Sequence, residues 1–423
     1  MMHCGNWYLR HAVVSRGRAY ERDRHTDGTR RTEDSSSHPI QYYPSCRRAG
    51  SRERNRRARI RKSSLKCAKR VTGLNHFAGM LDAKNRKREA EMKKRNLGNS
   101  GLEVAPLAFG GNVFGWTVGA ASAFQLLDAF VSSGFNLIDT ADIYPKWVPG
   151  NQGGESETII GNWLKRSGKR QEVTIATKVG MEMGPNKKGL SKNYIMRSAD
   201  DSLRRLQTDH IDLYQSHQDD PQTPVAETLE AYDQLIKQGK VRAIGASNYG
   251  ADRLAEALNT SKRLGLPRYE SLQPLYNLYD RAVYEDELEP LCVREGLGVI
   301  PYYSLASGFL TGKYRSEDDL SNSPRGGTVK KYLNERGFRI LKALDQVAAQ
   351  FHSTPARISL AWLIARPSIT APIASATNLD QLNDLIEATK LELDPESIEL
   401  LIQASAERPV SDKEKSHART QTS

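Results

Sequence analysis

An aspartate, a tyrosine, a lysine and a histidine follow short apolar segments of this sequence, and together they could transfer a proton. Asp139 and Tyr144 lie in Ile-Asp-Thr-Ala-Asp-Ile-Tyr, Lys178 ends Ile-Ala-Thr-Lys, and His217 ends Leu-Tyr-Gln-Ser-His. A free tyrosine, with a pKa of about 10, is a weak acid at neutral pH. A nearby ammonium stabilises the phenolate, and a carboxylate keeps that ammonium protonated. Lys178 and Asp139 could therefore make Tyr144 a better proton donor, while His217 could orient a carbonyl oxygen.

These side chains can meet only if the segments before them are strands of one sheet. From residue 105 onward, eight short apolar segments alternate with amphipathic segments, which is typical of repeated β-α units around a parallel sheet. We predict strands at 105–110, 135–139, 172–178, 211–216, 241–246, 269–273, 297–302 and 369–374. We predict helices at 121–133, 155–166, 191–206, 224–238, 250–264, 284–295, 339–351, 378–389 and, beyond the repeats, 394–405.

Two folds are built from such repeats. A doubly wound dinucleotide-binding sheet normally has a glycine-rich first turn, and Phe-Gly-Gly-Asn-Val-Phe-Gly at 109–115 does not match that spacing. Eight units without that turn favour an α/β fold of the (β/α)8 TIM barrel type, in which the carboxyl ends of all strands meet at one face. We also predict an N-terminal hairpin around Asn99-Ser100-Gly101, and a functional lid formed by the long connection 303–338.

The basic charge of the chain is concentrated before the predicted barrel. The net charge is +12, but residues 1–91 hold 23 Lys/Arg and 9 Asp/Glu, whereas residues 92–423 hold 39 and 41. We predict a disordered basic tail at 1–91, the barrel domain at 92–410 and a polar C-terminal tail at 411–423. The long tail is open to four interpretations: solvated charges without a specific role, a nucleic-acid arm, an organellar presequence, or a mis-set start before Met92.

The remaining composition indicates a soluble protein. The mean hydropathy is −0.61, and no apolar run approaches the roughly 20 residues that a membrane helix needs. The four cysteines, Cys4, Cys46, Cys67 and Cys292, have no metal-ligand spacing. We therefore expect no metal site, no disulfide framework and a reducing, cytoplasmic compartment.

Longer motifs around the four candidate residues resemble the aldo-keto reductase family over most of 92–405. They are Phe-Asn-Leu-Ile-Asp-Thr-Ala-Asp-Ile-Tyr at 135–144 with Gly-Glu-Ser-Glu at 154–157, Ile-Ala-Thr-Lys at 175–178, the segment 202–217 that ends in His217, and Gly-Lys-Val-Arg-Ala-Ile-Gly-Ala-Ser-Asn-Tyr at 239–249. The resemblance implies NAD(P)H-dependent reduction of a small-molecule aldehyde or ketone to an alcohol. Tyr144 would be the general acid tuned by Lys178 and Asp139, and His217 would position the carbonyl.

The same resemblance implies a cofactor site, with NADPH as the expected cofactor and NADH as an alternative, because Ala376 and Leu385 depart from the family pattern. It assigns the nicotinamide to Ser247, Asn248, Gln273 and Tyr302, the pyrophosphate to a loop at 305–314 with Leu305, Gly308 and Lys313, and the adenosine phosphate to Ser375 and Gln381. Gly111 and the lid residue Arg325 are further candidates for cofactor contacts. Trp147, in an insertion at 145–153, and Trp116 are predicted to line the substrate mouth.

Three other functions remain open from the sequence. Lys178 could be the nucleophile of a Schiff-base lyase, although Asp139 would hold it in the unreactive ammonium form. The barrel could be an NADPH-binding regulatory subunit with vestigial catalysis. Nucleic-acid binding rests on the tail alone.

Overall fold

The computed structural model describes residues 92–407. The predicted basic tail at 1–91 and the predicted polar tail at 411–423 lie outside the described residues.

A small hairpin precedes the main sheet. Strands β1 (Arg95–Asn96) and β2 (Glu103–Val104) pair in antiparallel fashion on either side of Asn99-Ser100-Gly101. The predicted hairpin is confirmed. Its apolar residues Leu97, Leu102 and Val104 pack in the same cluster as Leu137 and Leu213 of the main sheet, so the hairpin covers the amino-terminal end of the sheet.

Eight parallel strands form the predicted barrel. In the order β10-β3-β4-β5-β6-β7-β8-β9, they are β3 (Ala108–Gly110), β4 (Leu137–Asp139), β5 (Thr174–Val179), β6 (Ile211–Ser216), β7 (Val241–Ser247), β8 (Tyr269–Gln273), β9 (Gly298–Val299) and β10 (Ile373–Ala374). Backbone hydrogen bonds from Thr370 N to Val299 O (2.8 Å) and from Ile373 N to Pro301 O (2.9 Å) join the two outer strands. These bonds close the sheet into a cylinder.

The alternation of side chains along each strand separates an inner from an outer core. Leu137, Ala176, Leu213 and Ala243 point into the cylinder and fill its lower part. The neighbouring outward-facing residues, such as Ile138 and Ile175, pack against the helices. The inward positions nearest the carboxyl ends of the strands are polar, and they form the site described below.

Helices connect the strands and surround the cylinder. They are α1 (Ala120–Ser132), α2 (Glu155–Ser167), α3 (Lys192–Leu206), α4 (Val225–Lys237), α5 (Ala251–Leu264), α6 (Glu289–Glu295), α7 (Gly326–Val329), α8 (Glu335–Gln350), α9 (Pro355–Ala365), α10 (Leu379–Ala388) and α11 (Pro395–Ser405). The predicted last helix at 394–405 is confirmed as α11. Within the described range 92–407, none of the helices combines the length and apolar character that crossing a membrane requires.

One helix and several short helical turns were not predicted from the sequence. Helix α9 has no polar stripe, because Ile358, Leu360, Trp362 and Leu363 are all fully buried, and a helix that is apolar all round shows no amphipathic period. The connection 303–338, for which no elements were predicted, is a series of short helical turns followed by the start of α8, and its role as a lid stays a prediction. Asn334 caps α8 by accepting a hydrogen bond from Gly337 N, so this helix begins four residues before the predicted start.

Candidate active site

A buried ion pair lies at the centre of the polar end of the barrel. Lys178 Nζ, on β5, contacts Asp139 Oδ2, at the end of β4, at 2.8 Å, and it also donates to Thr140 O at 2.7 Å. Lys178 is fully buried and Asp139 is nearly so. Burial lowers the pKa of Lys178, and the adjacent Asp139 carboxylate opposes that change. The structure therefore brings together the predicted lysine and aspartate.

Tyr144 lies directly above this pair. Lys178 Nζ is 3.5 Å from the Tyr144 hydroxyl and 4.9 Å from the centre of its ring. The loop that carries Tyr144 leaves β4 after Asp139, and its backbone is held where Asp142 N donates to Lys178 O at 3.2 Å. The tyrosine is half-buried.

His217 completes the predicted set of four. Its ring centre is 5.7 Å from that of Tyr144, and the two rings are nearly perpendicular. The side chain is buried, and Nδ1 has no hydrogen-bond partner among the described residues. Burial, reinforced by the charge of Lys178, lowers the pKa of His217 well below its usual value. The imidazole is thus neutral and can donate one N–H to a carbonyl oxygen.

The residues predicted to bind the nicotinamide form a hydrogen-bonded group beside these four. Tyr302 OH donates to Asn248 Oδ1 at 2.7 Å, and Asn248 Nδ2 donates to His217 O at 2.9 Å and to Ser247 Oγ at 3.2 Å. Gln273 Nε2 donates to Asp139 Oδ1 at 2.9 Å. The network joins the predicted cofactor amides to the proton-donor residues.

The predicted pyrophosphate loop has an unusual backbone. Ala306, Ser307 and Gly308 have φ values of 48°, 58° and 97°, in the left-handed region, and such runs create concave groups of backbone amides that suit anions. A Cβ on Gly308 would lie 3.6 Å from Lys313 Nζ, so the ammonium lies close to the loop. Leu305 accepts backbone hydrogen bonds from Gly308 and Leu310.

Three further residues were predicted to contact the cofactor, and their surroundings differ in burial and in hydrogen bonding. Ser375 Oγ donates to Asn112 Oδ1 at 2.8 Å. Gln381 Oε1 accepts from Thr377 N, at the exposed start of α10. Gly111 is buried, and a Cβ there would lie 3.0 Å from Asp139 O and Ser156 Oγ. Its position gives it a packing role, and its predicted cofactor contact stays a prediction.

An aromatic wall extends outward from Tyr144. Trp147 lies edge-on to Tyr144, with ring centres 5.6 Å apart, and Trp116 lies edge-on to Trp147 at 5.8 Å. Asn151 Nδ2 bridges the loops that carry the two tryptophans by donating to Gly115 O and Pro145 O. Arg325 lies over Trp116 at 5.2 Å, whereas its predicted phosphate contact stays a prediction.

Sequence reasoning missed several residues of this region. Gln215 is fully buried two positions before His217 on β6, and its Oε1 is 3.4 Å from Gln273 Nε2. The alternation of β6 could have identified it, since residues two apart face the same side. Glu157 is part of the motif Gly-Glu-Ser-Glu at 154–157, but no role was predicted for it, and none was predicted for Asn112. Within residues 92–407, no cluster of His, Cys, Asp and Glu is placed to hold a metal ion.

Comparison with known proteins identifies the family. The Aldo/keto reductase family matches residues 106–406. The chain belongs to the aldo/keto reductase family. It is 35% identical over 318 residues to the uncharacterized oxidoreductase YrpG of Bacillus subtilis (strain 168), covering 73% of this chain and 95% of that protein. It is 32% identical to a probable voltage-gated potassium channel subunit beta of Arabidopsis thaliana, over 76% of this chain and 99% of that protein. It is also 32% identical to protein tas of Escherichia coli (strain K12), over 71% and 94%.

Proposed function

We propose that this aldo/keto reductase reduces aldehydes or ketones to alcohols with a reduced nicotinamide cofactor. The observation that carries the proposal is the approach of Lys178 Nζ to both Asp139 (2.8 Å) and the Tyr144 hydroxyl (3.5 Å) in a buried site. Proton delivery to a carbonyl oxygen requires an acid, a cation that stabilises the anion left behind, and a neutral hydrogen-bond donor that orients the oxygen. Tyr144, Lys178 and His217 can supply these three groups.

Each side chain has a separate task in this reaction. Tyr144 gives its hydroxyl proton to the carbonyl oxygen while the carbonyl carbon accepts a hydride, so that an alcohol is formed. Lys178 stabilises the phenolate that remains, and Asp139 keeps Lys178 protonated although burial opposes its charge. His217 donates a hydrogen bond to the same oxygen and holds it beside Tyr144.

The described residues fit a dinucleotide. The amides of Asn248 and Gln273 suit a carboxamide, Tyr302 offers a ring face, and the left-handed loop at 306–308 with Lys313 suits a pyrophosphate. When bound, NADPH or NADH would supply the hydride. Arg325, Ser375 and Gln381 are further candidate contacts to its phosphates, while Trp116 and Trp147 would line the substrate entrance.

The decisive experiment is cofactor oxidation by the full chain with a panel of aromatic, aliphatic and quinone carbonyls, using NADPH and NADH in turn. We expect turnover with at least one class. Lys178→Met should abolish turnover while the variant still binds cofactor, because methionine keeps the volume of the side chain and removes its charge. Turnover in Lys178→Met equal to that of the unmodified chain would refute the assignment.

A second candidate function follows from the relatives named as potassium channel beta subunits. In it the barrel binds NADPH as a regulatory subunit, and the four-residue set is vestigial. Tight NADPH binding measured by fluorescence, together with no turnover of any carbonyl in the panel, would favour this function. A Schiff-base lyase would instead be indicated if borohydride trapped a substrate carbon on Lys178.

A further inference from the structure

Glu157 is a fully buried carboxylate that the proposed reaction does not use. It lies in the first turn of α2, where Thr177 Oγ1 donates to Oε1 at 2.6 Å and Arg205 Nε donates to Oε2 at 2.6 Å. Thr177 immediately precedes Lys178 on β5. Glu157 therefore links α2 both to the strand of the catalytic lysine and to Arg205 on α3.

The same end of α2 holds the loop that carries Tyr144. The backbone amides of Gly154 and Ser156 both donate to Tyr144 O, at 3.1 and 3.2 Å. Thr140 Oγ1 donates to Ser156 Oγ at 2.8 Å, so this loop is held at a second point. A displacement of the first turn of α2 would consequently move Tyr144.

Arg205 reaches Glu157 only because residue 154 is a glycine. Gly154 has a φ of 87°, and a Cβ there would lie 2.5 Å from Arg205 Cδ and 2.6 Å from Nε. Arg205 Nη2 also donates to Ser202 Oγ at 3.2 Å. A buried ion pair contributes little net stability compared with apolar packing. We therefore look for the role of the Glu157–Arg205 pair in how it positions the residues around it.

We propose that Glu157 and Arg205 are positioning residues that hold the Tyr144 hydroxyl against Lys178. The inference rests on the proposed function, since it concerns the acid of that reaction. Neither residue touches the reacting atoms. Their ion pair fixes the first turn of α2 between β5 and α3. The amides of Gly154 and Ser156 at the start of this helix then hold the Tyr144 carbonyl.

The titratable groups around this arrangement come from five elements. Asp139 ends β4 and Asp142 follows it, Lys178 lies on β5, Glu157 on α2 and Arg205 on α3, while His217 faces Tyr144 from the end of β6. Burial, and then the charge of Glu157, raises the pKa of Asp142 well above its usual value, and the positive charge of Arg205 opposes that change.

The test compares Glu157→Gln, Arg205→Met and Arg205→Lys with Arg170→Gln. Arg170 pairs with the buried Asp212 at 2.8 Å near the opposite end of β6, so Arg170→Gln removes a similar ion pair far from Tyr144. For Glu157→Gln and Arg205→Met we expect kcat to fall about 10- to 100-fold, the range expected when a reacting group is misplaced by about 1 Å. KM and cofactor affinity should change little, Arg205→Lys should recover part of the loss, and Arg170→Gln should keep its kcat.

A second readout does not depend on turnover. The phenolate absorbance of Tyr144, isolated by subtracting the titration of Tyr144→Phe, should appear at higher pH in Glu157→Gln than in the unmodified chain, because Lys178 would be farther away. If the unmodified chain reduces no carbonyl, the proposed function fails, and this titration still tests the positioning. An unchanged titration, or a kcat in folded Glu157→Gln equal to that of Arg170→Gln, would overturn the inference.

Discussion

Replacing Asp139 by asparagine removes the charge that keeps Lys178 protonated. Lys178 Nζ lies 2.8 Å from both oxygens of the carboxylate, and Gln273 Nε2 donates to Oδ1 at 2.9 Å. An asparagine has one acceptor oxygen and an NH2 group, so in either orientation its NH2 group would face the Lys178 ammonium, and in one orientation it would also face Gln273 Nε2. Asp139→Asn therefore perturbs both the charge and the hydrogen bonding of the site.

The size of the effect follows from the separation of the charges. Two unit charges 2.8 Å apart attract with about 6 kcal/mol at an effective dielectric constant of about 20. This attraction favours the protonated form of Lys178, so that removing the carboxylate lowers the pKa of the lysine. Burial already lowers the pKa of this lysine. In Asp139→Asn the amine should consequently be neutral at neutral pH, and kcat should fall about 100-fold or more.

The stability of this variant should depend on pH in a defined direction. Breaking a buried ion pair costs about 3–5 kcal/mol. The pKa of Lys178 in the folded variant lies below that of an unfolded lysine, about 10.4, so the unfolded chain binds more protons below that pH. The free energy of unfolding should therefore decrease as the pH falls from about 10 toward the folded pKa, which is the window between those two values.

Asp212→Asn is the matched control for this measurement. Asp212 is equally buried and accepts from Arg170 and Arg242, which stay charged at every accessible pH, while His210 Nε2 lies farther away, at 3.7 Å. Urea unfolding at pH 7 and pH 9 should show a larger change of the loss with pH in Asp139→Asn than in Asp212→Asn, with kcat reduced only in the former. A kcat for Asp139→Asn within about threefold of the unmodified chain would refute the reasoning, because a neutral Lys178 could not have supported it.

Three other changes have defined outcomes. Burial and the charge of Lys178 hold the pKa of His217 well below its usual value, so the imidazole NMR signals should titrate at lower pH than those of a free histidine. A midpoint near the ordinary value of about 6.5 would contradict this. Gly154→Ala should lower the urea midpoint more than Gly168→Ala. Both glycines have positive φ, but only a Cβ at residue 154 would collide with a neighbour, the Arg205 side chain. Equal losses in the free energy of unfolding, each about 1–3 kcal/mol, would indicate backbone strain alone. Trp147→Ala should raise KM for an aromatic aldehyde about three- to tenfold, while kcat and the KM for an aliphatic aldehyde stay unchanged. An equal rise in KM for both substrates would show that Trp147 does not recognise the aromatic substrate.

The proximity of the candidate residues could be predicted because three of them end or directly follow a strand. Asp139, Lys178 and His217 come at or just after the ends of parallel strands, and in a barrel all of those ends lie at one face. The strands at 211–216 and 269–273 have the predicted bounds. Strand β9, by contrast, is shorter than predicted, although its continuation to Pro301 still pairs with 370–373.

The remainder depends on contacts between residues far apart in sequence. Helix α9 has no amphipathic stripe, since it is buried on all sides, and a pattern-based reading cannot separate such a helix from an apolar connection. Glu157 falls within an ordinary helical pattern, and its burial depends on Arg205, 48 residues later. Arg325 lies over the ring of Trp116, and its predicted contact with phosphate stays a prediction.

The most direct measurement is a single-turnover reduction of an aldehyde by the full chain and by Tyr144→Phe, each saturated with NADPH, with the cofactor dissociation constant determined separately. We predict that the rate of hydride transfer is about 100-fold or more lower in the variant than in the unmodified chain. The dissociation constant for NADPH should be the same for both. Hydride transfer at an unchanged rate in Tyr144→Phe would show that another group protonates the carbonyl oxygen, and the role given to Tyr144 above Lys178 would be wrong.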